Sequence, residues 1–248
     1  MNSADFQANT PYARFGEMAI DAPADARRTF IRKTYLHLML AIYAFVALEW
    51  LFFSMGLERT MLQLLGGSRF SWLMVIGAFC LVSFIADRWA QSESSRGMQY
   101  AGLGLYVLAE AVIFLPLLAI AQLQTIDIQG VGNVNVIAAA GVTTLVIFGG
   151  LTAFTLITKQ DFSFLGPFLG LAAISALALI VVGIFIGLNI GVWFAWAMVV
   201  LASGYILYYT SQVLHRYRTD QYVAASLALF ASVALLFWYV IQIFMRRD

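Results

Sequence analysis

The chain alternates long apolar runs with short polar connectors. Seven runs are long enough, or nearly so, to cross a bilayer, since a helix rising about 1.5 Å per residue needs roughly 20 residues to span an apolar core of about 30 Å. The pattern therefore predicts seven membrane-spanning helices. They cover residues 34–54, 70–86, 100–123, 131–157, 162–187, 192–209 and 222–245.

The fifth and sixth spans come from one continuous stretch, residues 162–215, that holds no Asp, Glu, Lys or Arg. As a single helix this stretch would extend about 80 Å, more than twice the thickness of the bilayer core, so it must fold back once. The segment 187–191, Gly-Leu-Asn-Ile-Gly, favours a tight turn at that point. The last two spans then form a hairpin joined by a polar connector at 210–221.

The amino-acid composition indicates a membrane protein and argues against several other classes of protein. The chain is 62% hydrophobic and 11% charged, with a mean hydropathy of +0.86, so lipid must cover apolar surface that a soluble domain could not bury. A net charge of +1 with dispersed basic residues offers no patch for nucleic acid. The single cysteine, Cys80, excludes a disulfide framework and a thiolate metal site.

The N-terminal segment, residues 1–33, is polar and interrupted by Pro and Gly, and we expect a flexible tail. Basic residues are more frequent on the side that carries this tail, with 10 Lys and Arg against 4 on the other side. The positive-inside rule therefore predicts a cytoplasmic N-terminus and a periplasmic C-terminus.

Two carboxylic acids fall inside predicted spans, where a charge costs roughly 2.5 to 3.5 kcal/mol on insertion scales. Glu110 lies in the middle of the third span. It is either protonated and hydrogen-bonded to a neighbouring helix, or it handles protons or cations. Glu49, beside Trp50 near the end of the first span, is expected to extend to the membrane interface.

Catalytic motifs are missing from the sequence. Ala202-Ser203-Gly204 lacks the first glycine of a Gly-x-Ser-Gly nucleophile turn, and no His-Glu-x-x-His run occurs. The two histidines, His37 and His215, are too few for a metal site without carboxylates nearby. We therefore expect no enzymatic activity and no cofactor or metal.

Three stretches together resemble the Bax inhibitor-1/YccA family. They are Arg-Lys-Thr-Tyr at 32–35, Thr-Lys-Gln-Asp-Phe-Ser-Phe-Leu-Gly at 158–166, and Ile-Leu-Tyr-Tyr-Thr-Ser at 206–211 followed by His215, Thr219 and Tyr222. The resemblance implies an all-α bundle with the last helix at its centre. It also implies an inner-membrane protein that interacts with and modulates the ATP-dependent membrane protease FtsH and its partner complex. The alternative is a calcium or proton leak channel, as described for other members.

The resemblance also suggests roles for individual residues. Channel-like members carry acidic residues where this chain has Tyr209 and Ser232, so we expect no acid-gated calcium passage by that route. Asp161, with Ser163, is expected to cap the fifth span rather than to bind a ligand. His215 is expected to make a loop contact, and Arg88, at the end of the second span, completes the set of candidates.

Overall fold

The computed structural model describes residues 17–92, 95–128, 132–187 and 191–246. The first half of the expected tail, residues 1–16, and the centre of the predicted turn, residues 188–190, lie outside the described part. Within that part, eight helices and one short antiparallel hairpin form the molecule, and seven of the helices are long and apolar enough to cross a membrane. The predicted all-α, seven-span architecture is thus confirmed.

In chain order the helices are α1 (Ala24–Ser54), α2 (Leu57–Gly66), α3 (Arg69–Ala90), α4 (Arg96–Ala121), α5 (Val136–Thr158), α6 (Leu165–Ile186), α7 (Val192–His215) and α8 (Tyr222–Met245). Strands β1 (Thr125–Ile128) and β2 (Gly132–Asn135) pair between α4 and α5, with Thr125 opposite Asn135. All helices except α2 are candidate spans.

Local chemistry explains several helix ends. The Ser95 hydroxyl accepts a hydrogen bond from the Met98 amide (3.3 Å) at the start of α4, and the Asn135 side chain accepts one from the Ile137 amide (2.8 Å) at the start of α5. Gly187 ends α6 with a φ of 70°, a left-handed conformation that glycine adopts without a steric cost. These signals place connectors between the apolar runs.

Helix α8 packs against α1, α3, α4, α5 and α7. Of its most apolar 18-residue window, 67% is buried, against 11% for α6. The Ser226 hydroxyl of α8 donates to the Thr34 carbonyl of α1 at 2.8 Å, a polar link between these two helices. These contacts favour a central position for α8, which stays a prediction.

Several boundaries differ from the predicted ones. Helix α1 begins at Ala24, so residues 24–33 are helical instead of part of a flexible tail. Pro23 lies immediately before the helix and Asp25 lies in its first turn, and both residues favour the start of a helix at this point. Helix α7 continues to His215, which shortens the expected connector to residues 216–221. Helix α2 and strand β1 lie in connectors for which no structure was predicted. Strand β2 takes the place of the first residues of the predicted fourth span, 131–157, so that α5 begins only at Val136.

Candidate functional site

The polar side chains suggested by the sequence lie largely at one end of the bundle. We call this the tail-side end: it contains the start of α1, the 158–166 loop between α5 and α6, and the connector between α7 and α8. Its geometry is set by contacts between these segments.

The 158–166 loop is fastened to α7 through Ser211. The Phe162 amide donates to the Ser211 hydroxyl at 2.8 Å, and that hydroxyl lies 3.4 Å from both the Gln160 carbonyl and the Asp161 carboxylate. Ser211 is fully buried, so its hydroxyl is not available to solvent. Gly166 lies against Tyr208 of α7, where an added Cβ would come within 3.0 Å of the ring.

Asp161 organises the loop itself. One carboxylate oxygen accepts hydrogen bonds from both the amide (2.9 Å) and the hydroxyl of Ser163, and the other lies 3.4 Å from the Arg216 guanidinium. The Ser163 hydroxyl and amide, with a smaller contribution from Arg216, lower the pKa of Asp161 to about 2. The expected capping role is wrong, because α6 begins after Phe164 and no side chain caps it. Asp161 instead ties the loop to the end of α7.

Residues 17–22 form a short strap across the connector between α7 and α8. Met18 and Arg218 form an antiparallel β-bridge, flanked by hydrogen bonds from the Ala19 amide to the Tyr217 carbonyl (2.9 Å) and from the Thr219 amide to the Glu17 carbonyl (3.0 Å). Ala19 is completely buried. Burial raises the pKa of the Tyr217 phenol well above its usual range. The strap therefore covers the tail-side end of the bundle at the connector between α7 and α8.

Tyr209 and Ser232 occupy separate environments. The Tyr209 ring stacks on Tyr205 at 5.8 Å and meets Tyr208 edge-on at 5.0 Å. The buried Ser232 hydroxyl donates to the Ala228 carbonyl of its own helix at 2.8 Å. Counted along their helices, Tyr209 lies six residues and Ser232 ten residues from the tail-side end, a depth difference of about 6 Å. Tyr209 is therefore held by aromatic packing.

The two membrane carboxylic acids are both buried, each 6% exposed. Glu110 pairs with the Tyr106 hydroxyl, one turn earlier on α4. A hydrogen bond to a neighbouring helix was one of the two expectations for Glu110, whereas this partner lies on the same helix. The expectation for Glu49 is wrong: it lies on the buried stripe of α1, and neither carboxylate oxygen has a hydrogen-bond partner among the described residues.

A group of hydroxyls that the sequence did not indicate lies near Tyr209. The side chains of Tyr35 on α1, Thr152 on α5 and Thr210 on α7 approach one another. None of the three hydroxyls has a partner at hydrogen-bond geometry, and all three are buried. Thr210 directly follows Tyr209, so α1, α5 and α7 meet at this group beside Tyr209.

The remaining candidates make local contacts. The His215 ring, in the last turn of α7 rather than in a loop, hydrogen-bonds the Ser211 carbonyl at 3.0 Å through Nδ1. Arg88 lies over the Phe84 ring of its own helix, 5.2 Å from the centroid. Within the described ranges, no three His, Cys, Asp or Glu side chains come together as a metal site would require.

Comparison with known proteins places these features in a family. The family described as "Inhibitor of apoptosis-promoting Bax1" matches residues 27–248. Bax inhibitor 1 of Schizosaccharomyces pombe is 34% identical over 45% of this chain and 42% of its own. An uncharacterized protein of Pseudomonas aeruginosa is 33% identical over 44% of this chain and 50% of its own.

A third relative carries a functional name. The Modulator of FtsH protease YccA of Escherichia coli K12 is 31% identical over 51% of this chain and 58% of its own. The aligned regions thus span about half the length of these relatives. The family match, by contrast, extends from the first turns of α1 to the end of the chain. This multi-pass helical membrane protein therefore belongs to the Bax inhibitor-1 family.

Proposed function

We propose that this protein is a non-enzymatic modulator of the membrane protease FtsH and its partner complex in the bacterial inner membrane, with its N-terminus in the cytoplasm. The observation that carries the proposal is the similarity to the Escherichia coli protein named as a modulator of that protease. Lys and Arg counts in the connectors support the orientation.

The geometry of the tail-side end supports an interaction role. The strap and the 158–166 loop cover the helix ends there, and they leave charged groups such as Asp161 and Arg216 at the surface. An ATP-dependent protease pulls on an accessible chain segment, and the N-terminal segment preceding α1 would serve as that segment. Tyr209 and Ser232, which replace the acidic pair of channel-like members, are engaged by ring packing and by a bond within α8.

A cation or proton leak channel is the second candidate. It is favoured by two buried carboxylic acids within the spans, Glu110 and Glu49, the latter without hydrogen-bond partners. Buried ionisable groups in membrane helices commonly mark ion or proton pathways. The two functions differ in partner, since a leak channel needs no protease.

Affinity capture of the full-length protein from native bacterial membranes tests the proposal. We expect FtsH and its partner complex to co-purify. We expect a variant that begins at Glu17, which keeps the strap and all of α1, to be degraded more slowly in cells that contain the protease. The matched comparison is a strain without FtsH, where both forms should persist equally. Failure to recover the protease, together with equal turnover of both forms, would contradict the proposal.

A further inference from the structure

A cluster of basic and aromatic side chains lies at the tail-side end, apart from the strap and the 158–166 loop. We call it the cation–tyrosine cluster; it comprises Lys33 and His37 of α1, Arg96 and Tyr100 of α4, and Tyr222 of α8. The Tyr222 ring is shared by two cations, with Lys33 Nζ 5.2 Å and the Arg96 guanidinium carbon 5.1 Å from its centroid. Two positive charges are therefore held by one ring near the tail-side ends of three membrane helices.

Hydrogen bonds fix the rings of this cluster. His37 Nδ1 donates to the Lys33 carbonyl at 2.7 Å, because a carbonyl can only accept. In the neutral ring, His37 Nε2 then accepts from the Tyr100 hydroxyl at 3.0 Å, which in turn lies 3.2 Å from the Tyr222 hydroxyl. The chain of contacts joins α1, α4 and α8 and fixes the position of the Tyr222 ring that both cations contact.

The two cations lack a carboxylate partner within the described residues. Arg96 donates to the backbone carbonyl of Asp220 (2.7 Å) and to the Gln99 side chain (3.2 Å). The Asp220 carboxylate itself pairs with Arg218 at 3.3 Å. Contact with an aromatic face attracts a cation but leaves its charge in place. Among the described residues, the positive charge of the cluster is therefore not paired with a carboxylate.

We propose that the cation–tyrosine cluster binds the phosphate of an anionic lipid headgroup. The cluster lies at the ends of spanning helices, where headgroups are found, and both Lys33 and Arg96 are exposed. Basic pockets between membrane helices on the cytoplasmic side are suited to such headgroups. Arg96 also begins α4, whose first-turn amides favour an anion. The guanidinium and ammonium would contact the phosphate oxygens, with Tyr222 holding both in place.

The test is lipid binding by the full-length protein in detergent micelles, measured by native mass spectrometry while phosphatidylglycerol or phosphatidylcholine is added. We expect phosphatidylglycerol to bind more tightly. Because each basic residue near a membrane surface contributes about 1 kcal/mol, Lys33→Gln and Arg96→Gln should each weaken phosphatidylglycerol binding about fivefold, and the double variant about 25-fold. Lys33→Arg should retain binding, since it keeps the charge.

Arg88→Gln is the matched control, because Arg88 is also exposed and lies over an aromatic ring, with no second cation on that ring among the described residues. It should weaken phosphatidylglycerol binding less than Lys33→Gln or Arg96→Gln does, because it leaves the cation–tyrosine cluster intact. Thermal unfolding in detergent micelles with added phosphatidylcholine identifies any variant that fails to fold. If the double variant fails to fold, the difference in phosphatidylglycerol binding between Lys33→Arg and Lys33→Gln decides the question. Equal binding by wild type and a folded double variant, or no preference for phosphatidylglycerol, would overturn the proposal. If dissolved glycerol phosphate at equal concentration displaced phosphatidylglycerol, the site would bind a free phosphate ester equally well, and the proposal of a lipid headgroup would be overturned.

Discussion

Asp161 holds the 158–166 loop in shape through both of its carboxylate oxygens. Its pKa of about 2 lies below the ordinary value of 3.8, so the folded loop favours the charged form. The contribution of this group to stability is present above about pH 4 and is lost as the pH falls toward 2. Because Asp161 is largely exposed, solvent screens its interactions, and the pH-dependent stabilisation is limited to the loop.

Substitution separates the causes of this low pKa. We expect Ser163→Ala to raise the pKa of Asp161 further than Arg216→Gln does, because the Ser163 hydroxyl is the largest contribution. Carbon NMR of a labelled aspartate carboxyl gives the titration midpoint. Ser203→Ala is a control, since that hydroxyl bonds only to its own helix. An equal or larger shift in Arg216→Gln would show that charge pairing dominates instead.

The position of Glu49 shows what the sequence could have revealed about single residues. The buried residues of α1 are spaced by three or four positions, and Ala41, Phe45 and Glu49 continue the same stripe. Periodicity alone would have placed this carboxyl on the inner face of α1. The neighbouring Trp50 instead led to the prediction that it extends to the membrane interface. The partner of Glu110 could not be predicted with the same certainty, because an apolar span offers hydroxyls on several helices.

At the scale of elements, the contact between α3 and α4 depends on Gly102. A Cβ at this position would lie 2.5 Å from the Ala86 carbonyl oxygen and 2.6 Å from the Ala90 nitrogen, both backbone atoms that cannot turn aside. Gly102→Ala should destabilise the protein by about 1 to 3 kcal/mol through overpacking. Thermal unfolding in detergent measures this effect.

Gly104 is the matched control on the same helix, because a Cβ there would meet nothing within 4 Å. Gly104→Ala should be neutral or stabilising by up to about 1 kcal/mol, since alanine favours the helix. Equal midpoints for the two variants would mean that α3 and α4 are not packed closely at Gly102.

The strap of residues 17–22 is a second element with a direct test. Paired residues of antiparallel strands have Cα atoms about 4.5 to 5.5 Å apart, within disulfide range. In a Cys80→Ser background, Met18→Cys with Arg218→Cys should therefore form a disulfide when membranes are oxidised. Slower migration of the reduced form in electrophoresis reports the bond. Ile20→Cys with Arg218→Cys is the control pair, and equal cross-linking by both pairs would argue against a fixed strap.

Elements were predictable where the signal was a long apolar run. All seven spans follow from such runs, and the fold-back between α6 and α7 follows from the length of the uncharged stretch. Helix α2 was missed because it lies in a connector and packs against elements distant in sequence. The β1–β2 hairpin was missed because its strands pair across their own turn and β2 falls inside the apolar run read as the fourth span. Asn135, which caps α5, was the available signal that this helix begins after residue 131.

For the whole molecule, the absence of an acidic pair at Tyr209 and Ser232 leads to a prediction about ion flux. A phenol and a hydroxyl do not change charge near neutrality, so calcium flux into proteoliposomes should show no acid gating between about pH 6 and 8. Tyr209→Asp with Ser232→Asp provides a positive comparison. A pH-dependent flux in the unmodified protein that disappears in Glu110→Gln would favour the channel instead.

Modulation of FtsH is tested most directly by reconstitution. Purified FtsH and a membrane substrate are placed in liposomes with ATP, and the rate of substrate degradation is measured with increasing amounts of this protein. We expect the rate to fall, and to fall less with the variant that begins at Glu17, since that variant keeps the strap but lacks most of the N-terminal segment that the protease would engage. An unchanged degradation rate at saturating amounts of the full-length protein would contradict the proposed function.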